Sequence, residues 1–309
     1  MRALIVGAGS VGGYFGGLLA AAARDVTFLV RTRRAAQLAD GLTILTGGKE
    51  IRVPVQVITT GQPAGDFTVI LLAVKAYQLD SAIEDFGPYV TRETMILPVL
   101  NGMRHVDILR SRFGLPRVIG GIAKIVSTLD ERGRILNQAD FRELAYGEWN
   151  RERSDRILAL DQFMAGAGFD ARLSADIERD MWEKWAMLAS LGGITCLLDG
   201  NIGQVTSAPG GIGLIKGLFR EVMATIGAAW RPLSEPFRAE VMSLLTNRQS
   251  SLTPSMYRDM KSGYPVEADQ IIGDLVMRAS EKGIATPLLS AAYTRLKVYD
   301  HIRAASSNP

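Results

Sequence analysis

Cysteine is almost absent from this chain. Cys196 stands alone, which excludes an internal disulfide and fits a reducing compartment. It lies in the apolar run "GGITCLL", so an inert buried thiol is expected rather than a nucleophile. Histidine is nearly as scarce. His105 and His301 have no Cys or Glu partner at ligand spacing, so no metal site is expected. An excess of one charge is also missing: 35 Lys and Arg against 32 Asp and Glu leave a formal net charge of +3. Without a basic stripe, nucleic acid is not an expected partner. Long apolar runs are missing as well. "FGGLLAAAA" is too short to span a bilayer, and the N-terminus enters "RALIVGAG" directly, unlike a signal peptide. The expectation is a soluble, cytoplasmic protein.

What is present points to an ordered, globular chain. Hydrophobic residues make up 47% and charged residues 22% of 309 positions, enough for two domains with real cores. The first half alternates short apolar runs at 3–6, 25–30, 68–74 and 95–100 with helical patterns near 10–23, 31–39, 77–84 and 104–112. Runs apolar on both faces predict a parallel sheet buried between helix layers. Residues 117–128 and 134–147 read as two strands joined by "LDERG", expected as antiparallel additions to the far edge of that sheet. From Ala175 onward no strand is evident, and helices are expected near 175–198, 212–229, 234–248, 267–282 and 287–303. The predicted architecture is an α/β domain with a parallel sheet over 1–174, followed by an all-α domain over 175–309.

"GAGSVG" follows the first strand and opens a helix, the context that gives G-x-G-x-x-G its meaning. Gly7 permits the tight turn, Gly9 lets the backbone approach a pyrophosphate, and Gly12 lets helix and strand pack closely. Gly7, Ala8, Gly9, Ser10, Val11 and Gly12 are therefore the expected phosphate-binding residues, with the helix N-terminus supplying N–H groups, and residues 1–174 are expected to form a Rossmann-type dinucleotide-binding domain. The second strand ends at Val30 and runs into "RTRR" rather than an acid. A guanidinium pairs with a 2′-phosphate that a carboxylate would repel, so NADP(H) is the expected cofactor and Arg31 its reader. Cations at a helix start oppose its dipole, so Arg31, Arg33 and Arg34 together imply a bound anion. Lys75 and Asn101 lie just past the carboxyl ends of two strands, where open parallel sheets bind ligands.

The stretch "DMWEKWAMLASLGG" is a helix by composition. It carries Lys184, Leu188 and Gly192 on one face at four-residue spacing. A lone ammonium heads a bare, apolar stripe.

These motifs, taken in order, resemble the ketopantoate reductases (2-dehydropantoate 2-reductases) and their paralogues. The likeness runs through "GAGSVGGYFG", Arg31, "AVKAYQ", "NGM", "WEKW" and "SMYRDMKSGYPVEADQIIG". It implies a fold similar to the 6-phosphogluconate dehydrogenase group and reduction of a 2-oxo acid by NADPH. It further implies that Lys184 protonates the developing alkoxide and that Glu267 holds a substrate hydroxyl and helps place the lysine. By the same resemblance Ser255 binds the carboxylate, and Lys75 and Asn101 stand at the nicotinamide end. Relatives that reduce ketopantoate carry asparagines four and eight residues after the lysine, where this chain has Leu188 and Gly192. A further asparagine aligns near Ile202, beside Asn201. Leaving a buried substrate hydroxyl unpaired costs about 1–3 kcal/mol. With Leu188 adding bulk and Gly192 opening space, a larger or more apolar 2-oxo acid, or a related ketone, is expected. The alternative is a non-catalytic NADP(H)-binding regulator, against which the retained Lys184 and Glu267 argue. A homodimer is compatible with the helical half.

Overall fold

The computed structural model describes residues 1–306. The chain forms two compact units: 1–100 with 105–181, and 101–104 with 182–309.

The first unit runs β1 (Arg2–Val6), α1 (Ser10–Ala21), β2 (Asp25–Leu29), α2 (Thr32–Gln37), β3 (Leu42–Thr46), β4 (Lys49–Val53), β5 (Gln56–Ile58), β6 (Val69–Leu72), α3 (Leu79–Phe86), β7 (Met95–Pro98), α4 (Arg104–Phe113), β8 (Gly120–Leu129), β9 (Ile135–Gly147), α5 (Asp155–Met164) and β10 (Asp170–Leu173). Its first sheet is wholly parallel, in the order β5-β2-β1-β6-β7. Alternate side chains enter two separate cores, which is why these strands read as unbroken apolar runs. Ala3, Ile5, Val69 and Leu71 face α1 and the second sheet. Leu4, Val6, Ile70 and Leu72 face α3, through Leu79, Ile83 and Phe86, and Leu109 of α4.

The hairpin β8–β9 does not extend the first sheet, contrary to the sequence expectation. It belongs to a second sheet, β10-β9-β3-β4, with β8 antiparallel to β9. The chain does touch β7 briefly: Val118 bridges Ile96 in parallel, and Ile119 N–H donates to the Ile96 carbonyl at 3.0 Å. It then leaves. A side chain at Gly121 would overlap Leu97 and stand 2.7 Å from the Pro98 oxygen. β9 meanwhile has parallel partners on its other edge, β3 and β10, and ladder pairing with them decides its sheet. The β3–β4 hairpin turns at Gly47-Gly48, a pair that is itself a hairpin signal.

The second unit is helical among the described residues. It holds α6 (Ile177–Leu198) from Trp182 onward, then α7 (Ile202–Ser207), α8 (Gly211–Ala229), α9 (Glu235–Leu245), α10 (Ser255–Lys261), a π-helical turn (Asp269–Gly273), α11 (Asp274–Glu281) and α12 (Pro287–Ser306). Trp182 stacks on Trp230 with ring centroids 5.6 Å apart. The Glu221 carboxylate of α8 accepts from Leu288 N–H at 3.1 Å and Leu289 N–H at 2.8 Å. An acid there satisfies two orphan donors at the start of α12. Among the described residues, no helix is long and apolar enough to cross a membrane, and no cluster of three His, Cys, Asp or Glu could hold a metal ion.

Candidate functional site

β1 feeds a turn at Gly7, whose φ of +94° lies where L side chains are strained. Gly9 is the N-cap of α1; no side chain caps that helix start, and its first turn carries no acid. The leading N–H groups and the positive dipole end therefore remain for an anion. The glycines differ in what surrounds them. A Cβ at Gly12 would overlap the Gly7 carbonyl oxygen and stand 2.9 Å from Ala73 Cβ, whereas a Cβ at Gly9 would meet nothing within 4 Å. Gly12 is demanded by helix–strand packing, while Gly9 leaves open ground beside bare backbone. Gly7–Gly12 as folded fit the pyrophosphate of a dinucleotide.

The three arginines after β2 do not act as one cluster, which corrects the reading of a single anion site. Arg31 is exposed, and its Nη2 donates to Ser81 Oγ at 2.9 Å. Ser81 in turn donates to the Gln78 carbonyl at 3.1 Å. Arg33 is exposed. Arg34 turns inward and donates to backbone carbonyls of Ala8 and Gly133. Lys75 is half-buried just beyond β6 and precedes a single 3₁₀ turn at Ala76–Gln78.

In the second unit, Asn101 and Glu267 come together although 166 positions separate them. Asn101 Nδ2 donates to Glu267 Oε2 at 3.3 Å, and Glu267 is only 4% exposed. The segment bearing Asn101 lies against the π-turn: a side chain at Gly102 would overlap the Gln270 carbonyl oxygen. Trp185 fixes the same turn from α6, its Nε1 donating to the Ile271 carbonyl at 2.9 Å. Asp269 fixes it from the other end, accepting from Tyr293 Oη at 2.6 Å and Lys297 Nζ at 3.1 Å. Burial works to raise the Asp269 carboxyl, but the Tyr293 hydroxyl, Lys297 and Arg104 together outweigh it, and its pKa lies below the ordinary carboxylate value. Burial, and after it the hydrogen bond to Asp269, push the Tyr293 hydroxyl up to about 12. π-turns concentrate at functional sites. Sequence reasoning missed this one and its three supports, because "VEADQIIGDL" has ordinary helical composition. The one available signal was Tyr293 and Lys297 at i,i+4 spacing on α12.

Lys184 and Leu188 are half-buried on α6, and Gly192 is buried. Gly192 does not open space, contrary to expectation. A Cβ there would lie 2.8 Å from Met256 Cε and 3.8 Å from Pro254 Cγ. The thioether of Met256 covers the glycine, and this end of the stripe is apolar and filled. Ser255, half-buried, opens α10 next to that methionine. Asn201 is committed to a capping box: its Oδ1 accepts from Gln204 N–H at 2.9 Å while the Gln204 side chain accepts from Asn201 N–H at 2.9 Å. Cys196 is fully buried, and burial pushes its thiol up to about 12, the state of an inert thiol.

Comparison with known proteins covers both halves of the chain. The family described as "Ketopantoate reductase PanE/ApbA" matches residues 3–151, and its C-terminal counterpart matches 176–300. "Uncharacterized oxidoreductase YkpB" of Bacillus subtilis (strain 168) is 35% identical over 301 residues, 97% of this chain and 99% of that one. The 2-dehydropantoate 2-reductase of Mesorhizobium japonicum is 26% identical over 298 residues, 88% of this chain and 89% of the relative. Among solved structures, 2-dehydropantoate 2-reductase from Geobacter metallireducens GS-15 superposes with a TM-score of 0.85 at 27% identity, covering 96% of this chain and 99% of that one.

Proposed function

We propose that this chain, which belongs to the ketopantoate reductase family of oxidoreductases, is an NADPH-dependent reductase acting on the ketone of a 2-oxo acid. The observation that carries the reading is the buried Glu267 carboxylate held by Asn101. Burying an acidic side chain is costly unless it is hydrogen-bonded, so a site that keeps one has a use for it. In this reading residues 1–174 form the cofactor domain and 175–309 the substrate domain of a cytoplasmic enzyme.

Gly7–Gly12 would hold the pyrophosphate, Arg31 the 2′-phosphate, and Lys75 and Asn101 the nicotinamide end. The bound cofactor supplies hydride to the ketone carbon. Lys184 stabilises the negative charge that develops on the ketone oxygen and gives that oxygen its proton, then regains one from water. Glu267 accepts a hydrogen bond from the substrate and orients Lys184, while Ser255 donates to the substrate carboxylate. Leu188, together with Met256 lying over Gly192, offers no partner to a substrate hydroxyl. We therefore assign an apolar 2-oxo acid as substrate in preference to ketopantoate.

A panel of 2-oxo acids that includes ketopantoate, followed by loss of NADPH absorbance, tests this. Apolar 2-oxo acids should exceed ketopantoate in kcat/KM by about tenfold or more, the cost of one unpaired buried hydroxyl. A flat response across the panel would overturn the reductase reading, and a preference for ketopantoate would overturn the substrate assignment. In Arg31→Ala, the ratio of NADH to NADPH affinity should rise; an unchanged ratio removes Arg31 as the 2′-phosphate reader.

A further inference from the structure

Arg34 makes an unusual set of bonds for a cation near the start of a helix. Its Nε donates to the Ala8 carbonyl at 2.8 Å, and its Nη1 donates to the Gly133 carbonyl at 2.9 Å and to Gln37 Oε1 at 3.1 Å. These acceptors are neutral oxygens, and Nη2 is buried without a hydrogen-bond partner. Burial lowers the Arg34 pKa from its ordinary value, so the contacts are kept despite a desolvation cost.

Both ends of this fork are firm. Ala8 is 2% exposed and lies between Gly7 and Gly9. Gly133 lies in the β8–β9 turn, where the Asp130 carboxylate accepts from Arg132 N–H at 3.0 Å, Arg134 N–H at 2.8 Å and Arg134 Nε at 2.7 Å. The same hairpin also touches the start of α1 directly. Ser127 Oγ donates to the Ser10 carbonyl at 3.0 Å, and Ile135 Cδ1 packs where a side chain at Gly13 would sit, 2.6 Å from its Cβ position. A trans peptide is planar, and its C=O and N–H point in opposite directions. Holding the Ala8 carbonyl toward Arg34 therefore aims the Gly9 N–H away from Arg34, and at Gly9 itself a Cβ would meet nothing within 4 Å.

We propose that Arg34 is a positioning residue for dinucleotide binding: it braces the glycine loop against the β8–β9 turn and sets the Ala8–Gly9 peptide for the cofactor phosphates. The proposal rests on the reading that Gly7–Gly12 hold a dinucleotide. It differs from the role given to Arg31, because pyrophosphate is common to NADH and NADPH. Arg34 must act on both cofactors equally, and Arg31 on one.

The test is direct titration of the full-length protein with NADPH and with NADH by nicotinamide fluorescence, alongside thermal melting. Arg34→Met should raise Kd for both cofactors by about tenfold, the value of one charged hydrogen bond, and leave the ratio between them unchanged. Arg34→Gln, a neutral side chain with N–H donors, should restore part of the affinity for both. It also serves as the variant to measure should Arg34→Met fail to fold. A lowered melting temperature with unchanged Kd would make Arg34 merely structural and overturn the proposal. Loss confined to NADPH would make it a 2′-phosphate reader and overturn it equally. Absence of binding to either cofactor in the wild type would instead strike the dinucleotide reading beneath it.

Discussion

The glycine turn of the first unit and the α6–π-turn region of the second are built from opposite materials. The first is nearly all main chain: a positive-φ glycine, an uncapped helix start and a glycine beside open space. The second is all side chain: an ammonium, a buried carboxylate, an amide, an indole and a thioether. Main-chain sites depend on what is left out, so any added atom is felt. Side-chain sites depend on which group is present, so exchanging one group changes the chemistry while the backbone persists.

The sharpest way to break this contrast is Lys184→Ala. On the proposed role of Lys184 as proton donor, the variant should lower kcat about 10²–10⁴-fold with NADPH affinity unchanged, as read by steady-state rates and fluorescence titration. Next comes a split within the glycine turn. Gly12→Val places atoms against the Gly7 carbonyl and Ala73 and should cost about 1–3 kcal/mol or more by overpacking, measured by denaturant unfolding. Gly9→Ala meets no neighbour and should change stability by no more than about 0.5 kcal/mol while weakening NADPH binding. Equal stability losses in the two variants would end the distinction drawn between them. In the second region, Trp185→Phe leaves the Ile271 carbonyl without its indole donor and should cost about 1–2 kcal/mol; a shift in KM for the oxo acid would show that the π-turn moved with it.

The smallest effect is pH dependence at Asp269. Its folded pKa is depressed, so the stability it contributes is fully present above the unfolded value of about 3.9. That stability is lost as pH falls through the lower folded value. Asp269→Asn should flatten the acid limb of the melting-temperature profile below about pH 4, and an unchanged limb would remove Asp269 as a support of the turn.

Legibility in the sequence follows the range of the interaction. β1, β2, β6 and β7 announce themselves because burial on both faces leaves no polar position to blur the pattern. The β3–β4 hairpin was readable from "TGGK" but its exposed, polar β4 obscured it. α10 and α7, with seven and six residues, are too short for periodicity to show. At the site, Asn101 and Glu267 could each be singled out, but no local pattern joins residues 166 positions apart.

The sequence by itself determined the parallel sheet, the glycine turn and the helical second half, because pleat, helical period and φ sterics act over a few residues. Tertiary structure alone decided that β8–β9 leaves the first sheet, that Met256 covers Gly192, and that Arg34 faces carbonyls while Arg31 faces Ser81. Each of those outcomes is a choice among partners equally available to the side chain or strand. The choice is made by which partner the rest of the fold brings within reach, about 3 Å for a hydrogen bond and about 4 Å for apolar packing.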